Sequence, residues 1–249
     1  MRKIISILLC LALVFSLSAC TNQTSSNENT FNDNSDSIIS DQTPNSFLLL
    51  PIEYDVIINN IIDAYPWNDD DITMVPENPE LSYMYSHNSS LSEIGFALID
   101  LDGNGQEELI ISDITKPFVY DLYTILDGQA IHLFGSHERN AYYVYEKGYI
   151  ENQWSGSAAT SGHDFYKLND DTLDFIERIT MDAYHALDIG LIKDLSEATN
   201  DNTFFRSKSD NEDDYEATTF DEALKAIEAY QSASNPLKIE FILFSEYKK

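Results

Sequence analysis

The stretch "ALIDLDGNGQEELII", Ala97 to Ile111, decides how the chain is read. Two apolar runs flank a core of Asp, Asn and Gly. With Asp100 as position one, Asp102, Asn104, Gln106 and Glu108 follow at alternate positions. An oxygen at every second residue of a tightly wound loop points toward one centre. Gly105, at position six, tolerates the positive φ that a sharp turn needs. Hard oxygen donors in this number suit Ca²⁺, which accepts roughly 6–8 of them in flexible geometry. The start follows an EF-hand loop, but position twelve is Ile111 and not the bidentate Glu. A strand-like run follows where an EF-hand has a helix. The expectation is a calcium loop between two strands. Asp100, Asp102 and Asn104 bind through side chains, Gln106 through its carbonyl oxygen, and Glu108 directly or through water. Another part of the chain, or water, completes the shell. The competing reading is a plain hairpin, because Asn-Gly between apolar runs is itself a turn signal. A plain turn has no need of acids at positions one, three and nine.

Outward from the loop, Gly95 to about Met181 alternates short apolar runs with turn residues. "GFALI" and "ELIIS" flank the loop itself. "FVYDLYTIL" and "AIHLFG" meet at Asp127-Gly128, "AYYVYE" and "YIENQWS" at Lys147-Gly148, and "HDFYKL" and "TLDFIERI" at Asn169-Asp170-Asp171. These pairs predict successive hairpins, a β-meander. On its N-terminal side, Tyr54, Ile57, Ile58, Ile61, Ile62 and Tyr65 recur at helical spacing between Pro51 and Trp67, with Pro66 as the stop. On its C-terminal side, "TTFDEALKAIEAYQ" predicts a second amphipathic helix. Its capping box is Thr219 with Glu222, and its stripe is Phe220, Ala223, Leu224, Ile227 and Tyr230. "PLKIEFILF" alternates and closes the chain as a strand. Met181 to Asn202 reads as helix or loop. The fold class is α+β: an antiparallel meander of hairpins with an N-terminal and a C-terminal amphipathic helix.

The first residues, "MRKIISILLCLALVFSLSAC", have the order of a signal peptide: two cations, an apolar core, small residues, then Cys20. "LSAC" resembles the lipobox of bacterial lipoproteins. That resemblance implies cleavage before Cys20 and a diacylglyceryl thioether on its sulfur. Cys10 leaves with the leader, so the mature chain has no disulfide. Thr21 to Ser46 is rich in Asn, Ser, Thr and Asp and predicts a disordered tether, roughly 25–30 Å from end to end. The expected organisation is a signal peptide over 1–19, lipidated Cys20 and tether over 20–46, and one calcium-binding domain over 47–249. The location is the outer face of a cell membrane.

The formal net charge is −29. With no basic patch to replace counterions, nucleic acid is excluded as a partner. Motifs for nucleophilic, zinc or phosphate chemistry are missing: Gly-x-Ser-x-Gly, His-Glu-x-x-His and a phosphate-cradling Gly loop do not occur. One stretch stands out, "NQWSGSAATSGHDF", Asn152 to Phe165. It reads as a hairpin loop of small residues, or as a contact surface in which Trp154, with Tyr142, Tyr143 and His163 nearby, meets cell-wall glycan or a surface protein.

"ALIDLDGNGQEELII" is similar to the DxDGNGxxEL loop carried singly by uncharacterised surface lipoproteins of Gram-positive bacteria. Their layout of lipobox, polar tether, calcium-type loop, hairpins and acidic capped helix is also similar. The resemblance implies a surface location and calcium, and implies no activity. The favoured expectation is a non-enzymatic, membrane-anchored calcium-binding lipoprotein. The alternative is an extracellular hydrolase that uses a carboxylate pair on a glycan, with structural calcium.

Overall fold

Alternation of inward and outward side chains from Gly95 onward builds two antiparallel sheets, where the sequence predicts one. The computed structural model describes residues 50–65, 90–211, 214–233 and 235–247. By its contacts the chain divides into Met1–Phe47 and Leu48–Lys249, and every described residue lies in the second unit. The expectations for the leader, Cys20, the tether, Pro66 and Trp67 lie outside the described residues.

The first sheet contains β1 (Ile94–Ile99), β2 (Glu108–Asp113), β3 (Asp121–Leu126), β4 (Gln129–Gly135) and β11 (Ile242–Leu243), in the order β11-β1-β2-β3-β4. The second contains β5 (Asn140–Val144), β6 (Tyr149–Ser157), β7 (Thr160–Asn169), β8 (Thr172–Asp182), β9 (Phe204–Ser207) and β10 (Glu216–Thr218), in the order β10-β9-β8-β7-β6-β5. Within each sheet sequential strands are neighbours, apart from β11 beside β1.

The turns follow from residue chemistry. Asp127 and Gly128 both have positive φ, 51° and 75°, the geometry of a two-residue hairpin turn that matches strand twist. Lys147 and Gly148 also take positive φ, 62° and 69°, within the 3-10 turn Glu146–Gly148 between β5 and β6. Gly148 also lies against the loop that opened the sequence reading. A Cβ there would meet the Leu101 carbonyl oxygen at 3.2 Å and the Leu168 Cβ at 3.3 Å.

Packing is layered. Helix α1 (Ile52–Asp63) lays Tyr54, Ile57, Ile58 and Ile61 on Phe96, Leu109, Ile111 and Tyr123 of the first sheet. Tyr65, expected in the buried stripe, falls past the end of the helix and is 42% exposed. The opposite face of that sheet sends Leu101, Ile110, Leu122 and Phe134 against Val144, Ile150 and Leu168 of the second. The far face of the second sheet receives α3 (Phe220–Ala233) through Ala223, Ala226, Ile227 and Tyr230. Leu224, expected in that stripe, is 41% exposed, so the buried face is rotated toward Ala226. Thr219 and Glu222 form the reciprocal capping box: the Thr219 hydroxyl accepts from the Glu222 N–H at 3.2 Å, and the Glu222 carboxylate accepts from the Thr219 N–H at 3.2 Å. The open segment after Met181 contains a short α-helix, α2 (Ala183–Asp188), capped by the Asp182 side chain, and a 3-10 turn, Leu195–Glu197.

The closing segment differs from a simple strand. Its alternation is real, with Leu237, Ile239 and Phe241 packed into the inter-sheet core. Only Ile242–Leu243 joins a sheet, however. Upstream, Pro236 bridges Tyr145 and the Leu237 N–H donates to Val144 O at 3.3 Å. The segment therefore crosses from the second sheet to the first. Ser136 adds a nearby pin: its hydroxyl donates to Val119 O at 2.5 Å and accepts from the Tyr142 N–H at 3.1 Å. Among the described residues, no helix is long and apolar enough to cross a membrane.

Candidate metal centre and rim pocket

The connection between β1 and β2 is wound by its own side chains. Asp100 accepts from the Gly103 N–H at 2.8 Å and the Gly105 N–H at 3.0 Å. Asp102 accepts from the Asn104 N–H at 3.0 Å, and Asn104 Oδ1 accepts from the Gln106 N–H at 2.7 Å. Gly103 and Gly105 take φ of 84° and 91°, the left-handed turns that let the backbone coil inside these acceptors. Glu108, the first residue of β2, closes the coil by accepting from the Leu101 N–H at 2.9 Å.

One ligand oxygen each from Asp100, Asp102 and Glu108 lies within 4.8 Å of the others, so this acidic triad can hold a metal ion. Asp100 is exposed and Glu108 is fully buried. Burial drives the Glu108 carboxyl up, the Leu101 amide opposes it, and the charges of Asp102 and Asp100 push it further, to about 7. Asn104 sits in the same coil. Gln106 does not turn its side chain to the centre: its Nε2 donates to Thr124 Oγ1 at 2.9 Å and to Ile125 O at 2.8 Å. Its main-chain carbonyl is the group left to serve as a ligand, which matches the EF-hand pattern at that position.

One residue that sequence reading treated only as a turn also reaches this centre. Asp170, between β7 and β8, donates its N–H to Asp102 Oδ2 at 2.7 Å and accepts from Asn104 Nδ2 at 3.3 Å. Asp102 thus joins the loop of one sheet to a turn of the other. The only signal in the sequence was a second cluster, Asn169-Asp170-Asp171, far along the chain.

The small-residue stretch Asn152 to Phe165 is mostly strand, the ends of β6 and β7 joined at Ala158-Ala159. Of the four expected contact residues, the structure brings two together. Trp154 and His163 line a shallow depression of about 610 Å³ at the rim of the second sheet. Tyr142 stacks on Phe134, centroids 4.1 Å apart and nearly parallel, inside the inter-sheet packing. Tyr143, one residue on, points to the opposite face and meets Phe118 edge-on at 6.3 Å. They do not share a surface with Trp154, because successive strand residues alternate and Phe134 takes up the one on the right face.

Trp154 is half-buried and fixed. Its Nε1 donates to Asp164 at 3.0 Å, and the indole lies over Gly162, where a Cβ would come within 2.8 Å of the ring. Arg178 grips Asp164 with two hydrogen bonds of 2.7 Å and approaches the indole at 5.6 Å. On the other face, His163 Nδ1 lies 2.6 Å from the fully buried Glu151. Glu151 also accepts from Tyr145 at 2.5 Å, Gln153 at 3.0 Å and Gln231 of α3 at 3.1 Å. Burial works to raise its carboxyl, but the bonds from His163, Tyr145 and Gln231 outweigh it and hold it below the ordinary value.

Compared with family models, curated proteins and solved structures, the chain matches none of them.

Proposed function

We propose that the chain is a lipid-anchored calcium-binding protein of the outer membrane face. In this reading a single ion braces an α+β meander flanked by N-terminal and C-terminal amphipathic helices, and the protein acts by display and binding without catalysis. The observation that carries it is the convergence of Asp100, Asp102 and Glu108, with one of the three carboxylates fully buried. A buried carboxylate beside two others is costly unless a cation joins them. The available donors are all oxygens: three carboxylates, the Asn104 amide and the Gln106 main-chain carbonyl. That set, in a glycine-wound loop, suits Ca²⁺ better than Mg²⁺, which demands near-ideal octahedral geometry. Because Asp102 also holds the Asp170 turn, the ion would stiffen the junction of the two sheets, whose described residues include no cysteine. The hydrolase alternative has less support, since the buried acids Glu151, Asp164 and Glu177 are each engaged by a cationic or imidazole side chain.

Calorimetric titration with CaCl₂ tests the proposal. The expected affinity is on the order of 10⁻⁵–10⁻³ M, typical of extracellular modules. Asp100→Ala combined with Asp102→Ala should remove the binding. Absence of Ca²⁺ uptake at millimolar concentration refutes it.

A further inference from the structure

We infer that the rim pocket at the start of β5 and the end of the β6–β7 hairpin is a binding site for a neutral saccharide. The hairpin runs on past Asn140, where β5 begins, so side chains from both faces of the sheet reach one depression. Its polar lining mixes donors and acceptors, with the Arg139 guanidinium and the Gln153 amide beside Glu138 and several hydroxyls. Asn140 also lines it. His163 is oriented by Glu151, 2.6 Å from its Nδ1, which leaves Nε2 as the ring's other polar atom. Ser157 and Ser161 add hydroxyls that serve either way. Such a mixed lining suits a ligand rich in hydroxyl groups, which both donate and accept.

Trp154 supplies what such a ligand's carbon skeleton needs, a flat apolar surface beside the polar groups. It is held in place from behind by Asp164, Arg178 and Gly162 and is not free to fold away. The two groups that would touch the ligand, an imidazole and an indole, therefore each rest on a buried carboxylate, Glu151 and Asp164. The net charge of −29 disfavours anionic ligands at long range. A hydroxyl-rich ligand with an apolar face and no negative charge is a neutral sugar. The depression is open, as an oligosaccharide segment passing along a surface requires.

This site does not rest on the calcium reading. Gly162 and Asp170 lie near opposite ends of β7, roughly 26 Å apart at about 3.3 Å per residue, so the two can fail separately. The full chain is titrated with N-acetylglucosamine trimer, cellotriose and maltotriose, followed by calorimetry and saturation-transfer NMR. At least one trimer should bind with Kd of roughly 0.1–1 mM. Asn140→Ala and Trp154→Phe should each weaken binding about fivefold or more, while Asp170→Ala leaves it unchanged. Circular dichroism checks the fold of each variant. If either pocket variant melts early, Arg139→Ala, at an exposed lining residue, replaces it and should also weaken binding. No binding of any trimer up to about 10 mM overturns the inference. So does binding that survives these substitutions, or binding of oligolysine in place of sugar.

Discussion

Glu108 and Glu151 are both fully buried glutamates on strands, and their surroundings differ in one respect. Around Glu151 the protein supplies donors from four side chains on four elements or turns: His163, Tyr145, Gln153 and Gln231. Around Glu108 it supplies one main-chain amide, a Thr124 hydroxyl at 3.4 Å and two further carboxylates. The carboxyl of the first is pulled down and that of the second is pushed up to about 7. The same residue type, equally hidden, is a completed network in one place and an incomplete one in the other. The incomplete one is where the proposed cation would sit.

The sharpest way to break this comparison is to delete both acids. Glu151→Ala should cost about 3 kcal/mol in urea unfolding, because Tyr145, His163 and Gln231 lose their common acceptor inside the protein. A loss under about 1 kcal/mol would mean that the network is ornamental. Glu108→Gln should behave oppositely. Without metal its stability should equal or exceed the parent's, since a like charge leaves the cluster. In Ca²⁺ it should miss most of the parent's gain, which is about 2.7 kcal/mol at a hundredfold excess over Kd. Equal gains in both chains would remove Glu108 from the ion's shell.

Acid supplies the finer distinction. Glu151 has its folded value lowered, so its contribution is complete above the ordinary value of 4.5 and is lost as pH falls through the folded value. The groups facing it are His163, Tyr145, Gln153 and Gln231. Thermal melts from pH 6 down to about pH 3 should show a shallower acid limb for Glu151→Gln than for the parent. Parallel limbs would contradict the assignment.

Local chemistry was the legible part of the sequence. Asp127-Gly128 and Lys147-Gly148 name their turns because few residue pairs accept two positive φ angles in succession. The acid triad was legible because a coiled loop converts a spacing of two into a common centre. What failed was everything set by distant partners. Alternation tells which residues share a face but not where one sheet ends and the next begins, so two sheets read as one. The β6–β7 hairpin was obscured because its turn, Ala158-Ala159, carries no turn chemistry and its strands are rich in Ser and Gly. The Glu151–His163 pair is twelve residues apart and visible only through the register that sets Gln153 against His163. Likewise nothing near Asp170 in sequence announces Asp102.

The crossing segment from Pro236 to Leu243 also bears on the order of assembly. Strand β1 has β2 on one side and, among the described residues, Ile242–Leu243 on the other. A chain emerging from its N-terminus can form most hairpins of both sheets early, since they are local. It nevertheless carries a bare strand edge and an open seam between the sheets until about residue 243 is available. Until then the exposed β1 edge is the surface most apt to pair with a neighbouring chain, and Ile242–Leu243 act as the latch that ends that vulnerable interval.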